Sequence, residues 1–229
     1  MFINDIPLSD FNAKLLKRQI SPPQISIENY WPKKALRPFI SKVKGFYYKT
    51  IQLEIEFKGT PSEIEINKSR VVQVLTSASV AFKKLEHVYT GLINGTGTGD
   101  QVYGYEVLSI ELLVYEHEDE QEVSINRNLE GIIYLDSNYT TPVIVELLPS
   151  VNLASLTING LGKDITLSNL TAGMAITIDG EQGLVTENGL NKWLDYDSWS
   201  YPKLTPGENN IVLSDATLDM KIRFSPRWA

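Results

Sequence analysis

The stretch WLDYDSWSYPKLTPGENNIVLSDATLDMKIRFSPRWA, Trp193 to Ala229, decides the fold class of this chain. After the turn signal Pro206-Gly207-Glu208-Asn209, Ile211 and Leu213 share one face while Val212 and Ser214 take the other. From Leu218 to Phe224, Leu218, Met220, Ile222 and Phe224 alternate with Asp219, Lys221 and Arg223. Period-two alternation of this kind describes an antiparallel strand with one face buried and one wet, so the chain ends within a sheet. Three of the four tryptophans, Trp193, Trp199 and Trp228, fall in this segment. With Ile222 and Phe224 they are the expected core of the C-terminal domain.

Working back, the second half reads as short strands: Ile132–Leu135, Val143–Leu148, Leu156–Ile158, Ile165–Leu167, Ala175–Ile178 and Gly183–Thr186. Turn signals such as Asn159-Gly160, Asp179-Gly180 and Asn188-Gly189 separate them, the spacing of a β-sandwich or jelly roll. The first half has a coarser grain. Ala13–Ile20 and Phe46–Phe57 read as strands, the latter with Ile51, Leu53, Ile55 and Phe57 on one face. In Ser69–Leu85 the apolar residues recur three and four apart, which predicts the one substantial helix, with Asn67 or Ser69 near its start. Two further strands, Val88–Ile93 and Val102–Tyr115, are joined by Asn94-Gly-Thr-Gly-Thr-Gly-Asp100, read as a hairpin tip. The change of grain places a domain boundary at Arg127–Gly131, giving an N-terminal domain over 1–130 and a C-terminal domain over 131–229.

Composition narrows the function classes. The 229 residues are long enough to bury a sizeable core, and the formal charge of −7 argues against general nucleic-acid binding. The charge is unevenly placed: nine Lys or Arg against three Asp or Glu occupy residues 1–49. The chain has no cysteine, so folding relies on packing and suits a reducing compartment. No basic leader and no long apolar run suggest secretion or membrane insertion.

Candidate chemistry is sparse. The glycine-rich run 94–100 lacks the lysine of a phosphate loop and joins strand to strand. The acidic run Glu116–Glu122 around His117 has no calcium-loop pattern and reads as a solvated linker. Asp195 and Asp197, among aromatic residues, offer the carboxylate pair of a glycosidase or the polar groups of a sugar groove; the alternative is that they cap loops beside core tryptophans. No nucleophile-base pair or metal-ligand spacing is present, so no cofactor is expected. The loop holding Tyr30, Trp31, Lys33 and Lys34, and the run holding Asn94, Thr96, Thr98 and Asp100, are the candidate oligomer or partner interfaces.

The ordered pattern Trp199, Pro202, Leu204, Pro206 to Asn209 and Ile211, closing on Ser225-Pro226-Arg227-Trp228, resembles the C-terminus of distal tail proteins of siphophages that infect Gram-positive bacteria. The opening Phe2-Ile3-Asn4, the Gly59-Thr-Pro-Ser-Glu63 turn into a helix and Tyr89-Thr90-Gly91 are similar to that family as well. The resemblance implies a mainly β protein: an N-terminal ring-forming β-sandwich with one helix, and a C-terminal galectin-like jelly-roll sandwich. It implies a structural hub of the tail tip or baseplate, not an enzyme, assembled in the bacterial host cytoplasm and carried in the virion. The implied partners are five further copies in a homo-hexameric ring, the tail tube protein, a tail-associated lysin or fibre hub protein, and a receptor-binding protein or its adaptor. DNA would pass through the ring without specific binding, and no membrane or cofactor is involved. Carbohydrate binding to host wall polysaccharide is the alternative function, and glycoside hydrolysis a more distant one. If the N-terminal sheet lines the lumen, Glu54, Glu56, Glu106 and Glu111 are expected nearer the axis than Lys14, Lys17, Lys33 and Lys34.

Overall fold

The computed structural model describes residues 1–30, 39–46 and 48–229. Contacts divide the chain into two compact units, Met1–His117 and Glu118–Trp228.

The first unit runs β1 (Phe2–Ile3), β2 (Ile6–Pro7), a 3-10 turn at Leu8–Phe11, β3 (Ala13–Ile20), β4 (Ile25–Tyr30) and β5 (Phe39–Phe46). It continues with β6 (Lys49–Lys58), α1 (Pro61–Val74), β7 (Ala78–Ala81), β8 (Val88–Val102) and β9 (Tyr105–His117). An antiparallel sheet is ordered β2-β1-β7-β8-β9-β6-β3, while β4 and β5 pair with each other. The alternation in β6 does what the sequence expects: Ile51, Leu53, Ile55 and Phe57 are wholly buried. They meet Leu108, Ile110, Leu112 and Val114 of β9 and Ile64, Val71 and Leu75 from the helical segment in one core. Each large apolar side chain so buried is worth roughly 1.5–3 kcal/mol.

The helix lies earlier than its periodicity predicts. It spans Pro61–Val74 instead of Ser69–Leu85, and neither Asn67 nor Ser69 caps it. Thr60 is the cap: its Oγ1 accepts the Glu63 N–H at 3.4 Å, and Glu63 Oε2 accepts the Thr60 N–H at 2.8 Å. Proline at the first helical position completes the start signal. The apolar residues beyond Leu75 belong to β7, where Val80 is buried and pairs with Tyr89. Helical spacing there is a coincidence of two adjoining elements.

The second unit runs β10 (Gln121–Asn126), β11 (Glu130–Leu135), β12 (Thr141–Pro142), β13 (Ile144–Pro149), β14 (Leu153–Asn159), β15 (Ile165–Leu170) and β16 (Ile176–Asp179). It continues with β17 (Leu184–Glu187), β18 (Leu190–Asn191), a 3-10 turn at Trp193–Asp195, β19 (Tyr196–Asp197), β20 (Lys203–Leu204), β21 (Gly207–Leu213) and β22 (Leu218–Phe224). Two antiparallel sheets form, ordered β10-β22-β13-β16-β17-β18 and β11-β21-β14-β15-β19. One core cluster draws on both: Val145, Leu147, Ile178, Met220, Ile222 and Phe224 from the first, and Ile133, Leu156, Ile158, Leu167, Ile211 and Leu213 from the second. This is a two-sheet sandwich in which each strand sends alternate residues inward. The sequence reading divides the chain at 130. The contact division falls at His117/Glu118, because β10 pairs with β22 along its whole length, from Gln121–Phe224 to Asn126–Asp219.

Candidate assembly surfaces

The glycine-rich run does not form a hairpin tip. It lies inside β8, which pairs with β9 from Val88–His117 to Val102–Tyr105. The turn is Tyr103-Gly104, with Gly104 in the left-handed region (φ 79°) and Tyr103 almost fully exposed. Bulges fall between Ile93 and Gly95 and between Thr98 and Gln101. Asn94, Thr96, Thr98 and Asp100 are therefore on one strand, all exposed. Asn94 Nδ2 donates to Glu111 Oε1 at 2.5 Å. A hollow of about 440 Å³ opens over this face, lined by Gln52, Glu54, Asn94, Gly95, Gly97 and Glu111 among others. Glycine makes the hollow: a Cβ on Gly95 would meet nothing within 4 Å, and one on Gly97 only Ser109 Cβ at 3.8 Å.

β8 is also an open edge. Its pairing with β7 stops at Gly91, and among the described residues the stretch beyond it pairs with β9 alone. The opposite edge of the sheet is β3, which among the described residues pairs only with β6. β3 carries Lys14, Lys17 and Arg18, whereas β8 from Asn94 to Val102 carries only Asp100 as a charged residue. Of the other interface candidates, Trp31, Lys33 and Lys34 lie outside the described residues. Tyr30 ends β4, where it pairs with Phe39.

The acidic run is not a solvated linker throughout. Glu116, next to last in β9, lies on the buried face and is held by Lys49 Nζ, by His87 Nδ1 at 2.5 Å and by the Tyr89 hydroxyl at 3.1 Å. Burial acts to raise its carboxyl pKa, but the bonds from Lys49 and His87, the Lys49 charge and the Tyr89 hydroxyl outweigh it and leave the pKa low. Burial, followed by the Glu116 charge and its hydrogen bond, pushes the Tyr89 phenol up to about 12. Farther along the run, Glu122 pairs with Lys221 at 3.1 Å and Glu120 with Arg223 at 3.7 Å.

The C-terminal tryptophans depart from their expected place. Ile222 and Phe224 are buried as expected, but Trp193 is 48% and Trp199 92% exposed. Trp228 is half-buried and its Nε1 donates to Glu118 Oε1 at 3.0 Å. The core is filled mainly by aliphatic residues of both sheets, joined by Phe224 and Tyr196 in place of the indoles. Trp193 instead sits on the 3-10 turn and stacks on Tyr196, with ring centres 5.6 Å apart.

Beneath that turn lies a residue for which the sequence offers no sign. The Lys192 side chain is only 6% exposed, and its Nζ donates to the Asn169 carbonyl at 2.8 Å, Glu187 Oε2 at 3.1 Å and Asp195 Oδ2 at 3.1 Å. Burial works to lower the ammonium pKa, but the bonds to Glu187 and Asp195 outweigh it and the net shift is upward. Asp195 accepts from Asn169 Nδ2 at 2.8 Å as well, and the bonds from Asn169 and Lys192 hold its carboxyl below the ordinary range. Asp195 is thus engaged as an acceptor by both Lys192 and Asn169, the loop-holding role that the sequence offers as the alternative to a carboxylate pair.

Comparison with known proteins fits the architecture. A family model described as siphovirus-type tail component, C-terminal domain, matches residues 136–228. That stretch of the chain is similar to siphovirus-type tail components. The match covers β12 to β22 of the second unit, including the Trp199–Trp228 pattern, and leaves out β10 and β11. Over the full length, the fold is similar to the crystal structure of the SPP1 Dit (gp 19.1) protein, a hub of the adsorption apparatus in phages infecting Gram-positive bacteria. That comparison has a TM-score of 0.79 and 9% identity, and covers 100% of this chain and 98% of the other. Chains of the phage P2 baseplate in its activated conformation, with Ca and with Sr, give TM-scores of 0.57 and 0.56 at 10% identity, covering 94% of this chain and 91% of theirs. No curated protein sequence matches.

Proposed function

We propose that this protein is the structural hub of a phage tail tip or baseplate, forming a homo-hexameric ring that joins the tail tube to the host-adhesion apparatus. The observation that carries the reading is the full-length likeness to a hub protein, found in a chain whose first unit has open sheet edges. An unpaired edge is a template for another strand. β8 of one copy meeting β3 of the next is a heterologous contact, and such contacts close into rings when the rotation permits. The charges suit it, since a basic β3 faces a β8 segment whose single charge is acidic. The ring is the attachment point for the tail tube protein on one side. On the other it meets a tail-associated lysin or fibre hub protein, and a receptor-binding protein or its adaptor. DNA passes through the lumen without specific binding. The role is structural and located in the virion.

Native mass spectrometry and electron microscopy of the full chain and of isolated tails test this. A sixfold assembly is expected. Thr96→Lys with Thr98→Lys should abolish it by placing like charge against β3, while the corresponding glutamates leave it intact. Tails holding the protein in any number other than six copies would overturn the ring. A ring indifferent to the lysines would overturn the edge pairing.

A further inference from the structure

The geometry points to a saccharide-binding surface on the second unit, centred on the outward face of Trp193. It is separate from ring formation, since every residue involved lies between Asn169 and Tyr201.

Three aromatic rings cluster there, each in contact with the other two. Tyr196, which is 8% exposed, stacks on Tyr201 with ring centres 5.9 Å apart and planes 15° apart. Trp193 lies over both, at 5.6 Å from Tyr196 and 5.9 Å from Tyr201. Tyr201 in turn rests against Gly183, where a Cβ would come within 3.1 Å of its ring. The cluster is therefore anchored in the core by Tyr196 and carries an indole that is 48% exposed. An indole serving only the core would be covered; this one is held out on a built support.

The support extends to the chain on either side of the ring. Lys192 draws the turn inward through its three bonds, and Asn191 Oδ1 accepts the Trp193 backbone N–H at 2.9 Å. That bond leaves the Asn191 amide N–H groups with no protein partner among the described residues. The Asn169 amide donates to Asp195 Oδ1. Its own side-chain oxygen stays available, and each Asp195 oxygen keeps acceptor capacity. The ring is thus bordered by both donors and acceptors held in place.

A pyranose matches this arrangement on both counts. Its C–H face carries partial positive charge suited to the electron-rich face of an aromatic ring, and its hydroxyls each donate and accept. A platform fixed before binding spares the ordering cost that weakens most saccharide contacts. An apolar protein anchor seated on Trp193 would leave Asn191, Asn169 and Asp195 unpaired under it, which is unfavourable.

The test is an array of neutral and N-acetylated hexose oligosaccharides probed with the full chain, followed by titration calorimetry on any that bind. At least one should bind. Trp193→Ala should weaken it by tenfold or more, while Trp193→Phe, which keeps an aromatic face and the stack, should retain most of it. Leu194→Asp alters a side chain that is 99% exposed and should leave saccharide affinity unchanged. No binding across the array, or equal binding by Trp193→Ala, would overturn the proposal. Loss of the Leu194→Asp protein from assembled tails, with no saccharide bound, would overturn it in favour of a protein interface. Because binding is read on the chain in any oligomeric state, failure of the ring reading would show separately.

Discussion

Replacing Lys192 by methionine isolates the buried cation that fixes the Trp193 turn. Methionine keeps most of the apolar stem, so the change removes charge and donors while losing little packing. Three charge-assisted hydrogen bonds disappear, and Glu187 and Asp195 are left facing each other without a counter-ion. Breaking a buried pair from one side costs about 3–5 kcal/mol. Both carboxylates keep partial access to water, with side-chain exposures of 21% and 30%, so the lower end, about 3 kcal/mol, is expected. Urea unfolding of the full chain, followed by tryptophan fluorescence, reads this as a lower midpoint of the transition that reports on the second unit. The pH dependence supplies an independent check. Lys192 has a raised pKa, so its contribution is complete below the ordinary lysine value of 10.5 and fades as pH rises through the folded value. Asp195 has a depressed pKa, so its contribution is present above the ordinary 3.8 and fades as pH falls through the folded value. Wild type and variant should therefore differ most between those limits and converge outside them. A loss below about 1 kcal/mol at neutral pH would show that the node is solvated and does not hold the turn.

Gly91→Ala should destabilise the first unit by about 3 kcal/mol or prevent its folding, since the new Cβ would stand 2.0 Å from the Leu113 carbonyl oxygen; a soluble protein with an unchanged melting curve would contradict the β8–β9 register. Glu116→Gln should cost about 2 kcal/mol by leaving Lys49 without its counter-charge, and should flatten the acid limb of the stability curve. The sign follows from a depressed carboxyl: its contribution is present above the ordinary 4.5 and is lost as pH falls through the folded value, so an unchanged acid limb in Glu116→Gln would refute the role. Thr60→Ala should lower stability by about 1 kcal/mol through loss of the cap, measured by chemical denaturation, with serine at the same position restoring it.

The elements legible in the sequence are those whose pattern is set by one neighbour. β22 falls where alternation puts it, at Leu218–Phe224, because a strand with one wet face must alternate. β10 is hidden because Val123 and Ile125 follow directly on a run of acids, and only the partner β22, with Lys221 and Arg223, turns those acids into cross-strand ion pairs. Thr60-Pro61-Ser62-Glu63, a capping box, marks the helix start, but the apolar spacing continues by chance into β7 and so points downstream of it. The candidate surfaces were legible in part. Residue type placed Asn94 to Asp100 on an exposed element, though as a loop; the β9 partner that extends β8 is visible only in three dimensions. Tryptophan as a residue type favours burial, and nothing local says that Tyr196 and Tyr201 will take the inner places of the stack. Lys192 looks like one more loop charge until Asn169 and Glu187 are brought to it from other strands.

The register also bears on how such a ring could pass DNA. Cα partners across an antiparallel pair point to the same face, and β3 sets Lys14 opposite Glu56 and Lys17 opposite Glu54. Lys17 and Glu54 are joined at 3.1 Å. A separation in which those glutamates face the axis and these lysines face away is therefore impossible within one sheet. Glu106 does not belong to that face at all: it is 8% exposed on the core side and bonded to Lys68 at 2.6 Å. What remains on the outer face is Lys14 and Lys17 beside Glu54, Glu56 and Glu111, nearly balanced and interleaved with Gln52, Ser109 and the glycines of β8. Phosphate is retained by cations free to release their counter-ions, and a lysine with a carboxylate opposite has little left to offer. A sheet face of this composition lets a polyanion slide by neutralising its own lysines, which is a different device from the repulsive acidic wall that composition alone suggests.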